Sequence, residues 1–149
     1  MKPVLALVMT VFLASASAAQ ERLPETISPN VPKGEELDFE QFLWKNRLVI
    51  VFADSPNDPQ FVEQMRILAD RPEALEERDV IVLTDTDPAG RSAMRLKFRP
   101  RGFMLLLLSK DGTIYLRKPL PWDVRELTRS IDKMPLRQQE VRRRIEQES

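Results

Sequence analysis

Leu48-Val49-Ile50-Val51-Phe52-Ala53 is an unbroken apolar run rich in β-branched residues, the pattern of a strand covered on both faces. Two more runs of this kind follow, Val80-Ile81-Val82-Leu83 and Phe103-Met104-Leu105-Leu106-Leu107-Leu108. Between the first two, Asp54-Ser55-Pro56-Asn57-Asp58-Pro59 reads as a turn, with Asp58 as N-cap and Pro59 at the first helical position. Phe61, Met65 and Leu68, with Val62 and Ala69 beside them, make an apolar face at helical spacing, and Pro72 ends or kinks that helix. A strand reached through a helical crossover runs parallel to its predecessor. Residues 48–53 are therefore expected at the centre of a sheet, with 80–83 parallel beside them.

Working outward, residues 85–90 read as a polar loop and 92–98 as a short helix carrying Met94 and Leu96 or Phe98 inward. Pro100 and Gly102 break the chain before the third strand. Asp111-Gly112 is a strong hairpin signal, with residues 113–116 as the returning strand. A last core helix is expected over 121–133, with Val124, Leu127, Ile131 and Met134 facing the sheet. Pro135 stops it, and the charged residues 135–149 read as a helical tail in which Glu140 and Arg144 are spaced to pair. On the N-terminal side, Leu37, Phe39, Phe42, Leu43 and Trp44 fit a short helix starting near Asp38 that buries an aromatic edge. This order is that of a thioredoxin-like domain over residues 37–134, a three-layer α/β/α arrangement with a central four-stranded mixed sheet.

The N-terminus reads differently. Lys2 precedes an apolar run over residues 4–14, and Ser15-Ala16-Ser17-Ala18-Ala19 offers the small residues of a cleavage site, so residues 1–19 are expected to be a secretory signal peptide. The run is too short to cross a bilayer as a retained helix. Residues 20–36 are polar, carry Pro24, Pro29 and Pro32, and read as an exposed leader. Export would place the mature chain in the periplasm or outside the cell.

Composition then removes chemistries. The chain of 149 residues has no cysteine and no histidine. Thiol redox chemistry is thereby excluded, as is catalysis by an imidazole. No cofactor is expected. Asp85, Asp87 and Gly90 resemble the opening of a calcium loop, but Ala89 and Leu96 stand where ligands should be, so no metal is expected either. The charges balance at 23 basic and 23 acidic residues, and losing Lys2 with residues 1–18 leaves 22 against 23, a net charge of −1. That balance gives no overall field towards nucleic acid or an anionic membrane.

Several short motifs carry a resemblance. Trp44-Lys45-Asn46-Arg47 leads into the first strand, Gln64 lies in the following helix, Arg78-Asp79 precedes the second strand, and Lys110-Asp111-Gly112 forms the hairpin. Ile131-Asp132-Lys133-Met134-Pro135-Leu136-Arg137 joins the last helix to the tail. With these motifs the chain resembles the bacterial DUF4174 family, whose domains are similar to those in animal sushi-repeat extracellular-matrix proteins. The resemblance implies a thioredoxin-like or peroxiredoxin-like fold and export, and brings no activity. It marks Trp44, Asn46, Arg47, Gln64, Lys110, Asp111, Gly112, Met134, Pro135 and Arg137 as positions of interest, with Ser109 departing from the glycine expected before Lys110.

A second set of candidates follows from topology. The turn after the first strand and the segment before the third approach one another in this fold, which groups Asp54, Ser55 and Asp58 with Arg99, Pro100 and Arg101 as a cleft of opposed charges. The structural alternative is a helix cap with surface ion pairs. Arg47 and Asn46 are expected to clamp a carboxylate such as Asp132 or Asp79, Lys110 to lie solvated at its hairpin, and the segment from Met134 to Arg137 to pack the tail on the domain or meet a partner. The reading that follows is a binding module recognising a protein or peptide segment through the cleft or a sheet edge. The alternatives are a non-thiol enzyme relying on Asp54, Lys110 or Arg47, and a structural envelope protein.

Overall fold

A computed structural model describes residues 38–149; the expected signal peptide and leader lie outside the described residues. Four strands form one sheet in the order β2-β1-β3-β4. β1 (Arg47–Phe52) is buried at every position, as a strand flanked by neighbours and covered by helices must be. It pairs in parallel with β2 (Val80–Asp85) and antiparallel with β3 (Met104–Leu108). β4 (Ile114–Lys118) adds antiparallel to β3 with a register irregularity at Leu107/Leu108, and forms one edge of the sheet. This is the expected mixed sheet, and the fold is thioredoxin-like α/β.

Alternation along the strands divides the core into two layers. Val49, Val51, Leu105 and Leu107 face one side, where Leu68 of α1 (Pro59–Asp70), Leu75 of α2 (Pro72–Glu76), and Val124, Leu127 and Ile131 of α4 (Val124–Asp132) cover them. Leu48, Ile50, Phe52, Leu106 and Leu108 face the other side, against Met94 and Phe98 of α3 (Ala93–Phe98). A 3-10 turn over Phe39–Phe42, capped by Asp38, closes that second layer, with Phe39 edge-on to Phe98. The tail is a further helix, α5 (Pro135–Glu148).

Several local expectations need correction. Trp44 does not join the buried aromatic edge: it is 67% exposed, in the left-handed region at φ 63°. On α1 Leu68, Phe61, Met65 and Ala69 pack on the core as expected, but Gln64 is buried with them and Val62 is exposed. Leu96 of α3 points to solvent because Met94 and Phe98 fill that face. β4 runs on to Lys118, beyond the expected end at residue 116, because edge side chains facing water need not be apolar. The last core helix starts at Val124 behind an Asp123 cap, with the Trp122 backbone engaged by Gln64 instead. Pro135 occupies the first turn of α5 as well as ending α4.

Candidate functional site

The motif residues converge at the end of the sheet where β1 and β2 begin and β3 ends. Arg47 has its side chain wholly out of solvent, and a guanidinium so placed requires carboxylate and carbonyl partners. It finds them in Glu140 of α5, to which Nη1 and Nη2 donate at 3.3 and 3.1 Å, and in the carbonyl of Arg78 at 2.9 Å. Lys110 is also drawn in, only 11% exposed, with Nζ 2.8 Å from both Asp79 and Glu140. This corrects the solvated hairpin lysine. Arg78 forks onto Asp132 at 2.9 and 3.0 Å, and the buried Arg137 lies 3.6 Å from Asp132 and 3.5 Å from Glu140. Thus Arg47 clamps Glu140 rather than Asp132 or Asp79, while Asn46 donates to the Asp79 carbonyl at 3.3 Å. Glu140 turns inward to these cations, so the expected exposed pair with Arg144 does not form.

In charge the cluster is balanced, while Arg47 Nε and Arg137 Nε and Nη1 are buried without a hydrogen-bond partner among the described residues. Arg47, Arg78, Lys110 and Arg137 face Asp79, Asp132, Glu140 and Glu77. Burial pushes the Glu140 carboxyl up, but hydrogen bonds from Lys110 and Arg47 outweigh it and hold the group below the usual glutamate range. The Arg78 hydrogen bond does the same for Asp132 against a smaller burial effect. Carboxylates held ionised in this way donate no proton near neutrality. What the cluster does is tie β1, the β2 entrance, the β3–β4 hairpin, α4 and α5 together.

The other motif positions have separate structural tasks. Gln64 is fully buried and acts as a strand substitute: Nε2 donates to the Trp122 carbonyl at 2.9 Å, and Oε1 accepts from the Trp122 N–H at 2.7 Å. The Trp44 N–H donates to the Lys110 carbonyl at 2.7 Å. Asp111 accepts from the Thr113 N–H and Oγ1, and these bonds, the side-chain one foremost, lower its pKa. Gly112 sits at φ +83°, where a Cβ would lie 3.0 Å from Leu43 Cδ2. Met134 belongs to the core, and Pro135 opens α5. A cavity of about 300 Å³ lies between the N-terminal turn and the hairpin, lined by Phe39, Phe42, Leu43, Asn46, Leu108 and Lys110 among others.

The topological cleft lies at the opposite end of the sheet. Asp58 caps α1, accepting from the Gln60 N–H at 2.8 Å, and Ser55 Oγ accepts from the Asn57 N–H at 3.1 Å. Arg99 adopts a left-handed conformation at the end of α3, and Asp54, Arg99 and Arg101 are exposed. Among the described residues no ion pair joins Asp54 or Asp58 to Arg99 or Arg101. Sequence reasoning missed a cluster here: Asp85, buried at the end of β2, accepts from Ser92 Oγ and from Arg95 Nε at 2.9 Å, while Arg95 Nη2 reaches the carbonyls of Ala53 and Asp85. It also missed the role of Glu140, which was read as spaced to pair with Arg144 in the tail. No group of three or more metal-ligating side chains occurs among the described residues.

Known proteins give the following likenesses. Plasmodium yoelii Prx1a modified at its N-terminus superposes with a TM-score of 0.47 at 15% identity, over 62% of this chain and 75% of that one. Plasmodium yoelii thioredoxin peroxidase I gives 0.45 at 14% identity, over 64% and 76%. The mitochondrial 2-Cys peroxiredoxin of Plasmodium falciparum gives 0.47 at 15% identity, over 64% and 79%. No protein of curated function matches. The model of the domain of unknown function DUF4174 matches residues 38–140, from the Asp38 cap to the Glu140 that holds Arg47, and the chain belongs to the DUF4174 family.

Proposed function

We propose that this chain is an exported, thiol-independent binding module that takes up an extended polypeptide segment along the outer edge of β4. The observation that carries this reading is the edge itself. Among the described residues β4 pairs with β3 alone, so alternate N–H and C=O groups along its other side face outward, the arrangement that accepts an added strand. Ile114 and Tyr115 on this strand are 41% and 45% exposed, and Leu120 just beyond is 61% exposed. They supply apolar contact beside the backbone bonds. Export rests on the Lys2, apolar and small-residue pattern of residues 1–19, and thiol independence on the absence of cysteine.

The test is selection of peptides from a random display library on the exported chain, followed by amide chemical-shift mapping of an enriched peptide. Shifts along residues 114–120 are expected. Failure to enrich any peptide, or shifts confined to the Arg47 and Glu140 end, overturns the proposal. The mass of the exported chain checks the compartment separately: removal of residues 1–18 or 1–19 is expected.

A further inference from the structure

The same edge is flanked by a stretch of one-sign sequence that the overall charge balance conceals. Residues 88–110 contain Arg91, Arg95, Lys97, Arg99, Arg101 and Lys110, and not one acidic side chain. Two of these are neutralised inside the fold, Arg95 by Asp85 and Lys110 by Asp79 and Glu140. Arg91, Lys97, Arg99 and Arg101 have no carboxylate partner among the described residues. Lys97 is instead placed over the Phe39 and Phe98 rings at 5.1 and 5.8 Å.

β4 adjoins this stretch. Arg117 Nη1 donates to the Phe98 carbonyl at 3.0 Å, which sets the second half of the strand against the end of α3, next to Arg99. Lys118, on the other face of β4, lies 4.6 Å over the Trp122 ring. Neither has an acidic partner among the described residues. By chain position the carboxylates nearest to Arg117 and Lys118 are Asp111, which accepts from Thr113, and Asp123, which caps α4, while Asp54 is exposed at the end of β1. An incoming strand would therefore meet backbone donors and acceptors, the apolar surfaces of Ile114 and Tyr115, and cations at one end of its path.

We infer that the segment bound by β4 is acidic, an extended peptide whose carboxylates are read by Arg99, Arg101, Arg117 and Lys118. This rests on the edge-binding reading above and adds the partner's chemistry to it. An anionic lipid surface shares the charge, but it would leave the row of backbone groups unused and favour no strand. Complementary charge sets register and encounter rate, and juxtaposed like charge is strongly penalised.

The experiment uses fluorescence anisotropy on the exported chain with four probes: an alternating Glu/Val peptide, its Lys/Val counterpart, a Glu/Val peptide interrupted by prolines, and phosphatidylglycerol vesicles. The acidic peptide is expected to bind on the order of tenfold tighter than the basic one, to weaken as salt rises through about 0.15 M, and to lose binding when interrupted by proline. Arg99→Glu with Arg101→Glu should weaken it further than Arg99→Gln with Arg101→Gln, both variants being checked for native circular dichroism. Equal binding of acidic and basic peptides overturns the acidic inference while leaving the edge reading intact. No binding of either peptide overturns both. Binding to vesicles without the acidic peptide, or equal binding of the proline-interrupted peptide, overturns the inference in favour of plain anion attraction.

Discussion

Arg47 and Glu140, separated by 93 positions, meet through both guanidinium Nη atoms and both carboxylate oxygens. One stands at the first position of the central strand and the other midway along the terminal helix. The tail is thus pinned to the sheet by a charge pair whose arginine has no solvent contact. Removing Glu140 would strand that arginine, and Lys110 with it. Glu140→Ala is expected to lower stability by about 3 kcal/mol, the low end for breaking a buried pair because Glu140 keeps some solvent contact. A fall in the urea midpoint measures it. Removal of residues 145–149, which leaves the pin in place, should change the midpoint little.

The acid response follows from the same carboxylates. Glu140 and Asp132 are held below their ordinary ranges in the fold, so their contribution is fully present above the unfolded-state values of about 4. It is lost as pH falls through the lower folded values. With no histidine in the chain, stability should be nearly level from about pH 8 to pH 5 and decline below about pH 4.5. Chemical denaturation across that range checks the profile. The decline should be shallower in Glu140→Gln, which has no carboxyl to protonate at that site.

Gln64 offers a second test of buried polar pairing. Gln64→Leu keeps roughly the volume of the side chain but leaves the Trp122 N–H and carbonyl without their partner. A cost of about 1–3 kcal/mol is expected, with faster amide exchange at Trp122. An unchanged exchange rate would mean that water replaces the glutamine.

Gly112 tests the hairpin. At φ +83° a non-glycine residue is strained, and a methyl group would also press on Leu43. Gly112→Ala should cost about 1–2 kcal/mol. Thermal unfolding reads it directly.

Three strands of the sheet were legible in the sequence because each is apolar on both faces and bounded by turn residues. The α1 start was legible because Asp58 and Pro59 meet the two needs of a helix N-terminus. The far end of β4 was not, since Arg117 and Lys118 carry no hydropathy signal at a sheet edge. Gln64 was marked only by the family resemblance and its burial was not legible, because its partner is a backbone segment 58 positions away. The clamp was half visible. Arg47 beside an apolar strand called for a carboxylate, but the choice of Glu140 over Asp79 or Asp132 depends on where α5 docks, which no local pattern encodes. The basic surface around α3 was hidden for another reason: net charge averages over the whole chain, whereas a partner meets one face of it.

The ionic clamp around Arg47 and Glu140 holds the fold, and the proposed binding edge, the side of β4 left unpaired among the described residues, is a separate part of the molecule. The most direct test is the affinity of the folded Glu140→Gln variant for the alternating Glu/Val peptide, measured where circular dichroism shows it native. Affinity within about twofold of the unaltered chain is predicted, because Glu140 lies at the clamp and not on β4. Loss of binding in the folded variant would contradict the account and make the Arg47, Lys110 and Glu140 cluster the binding site.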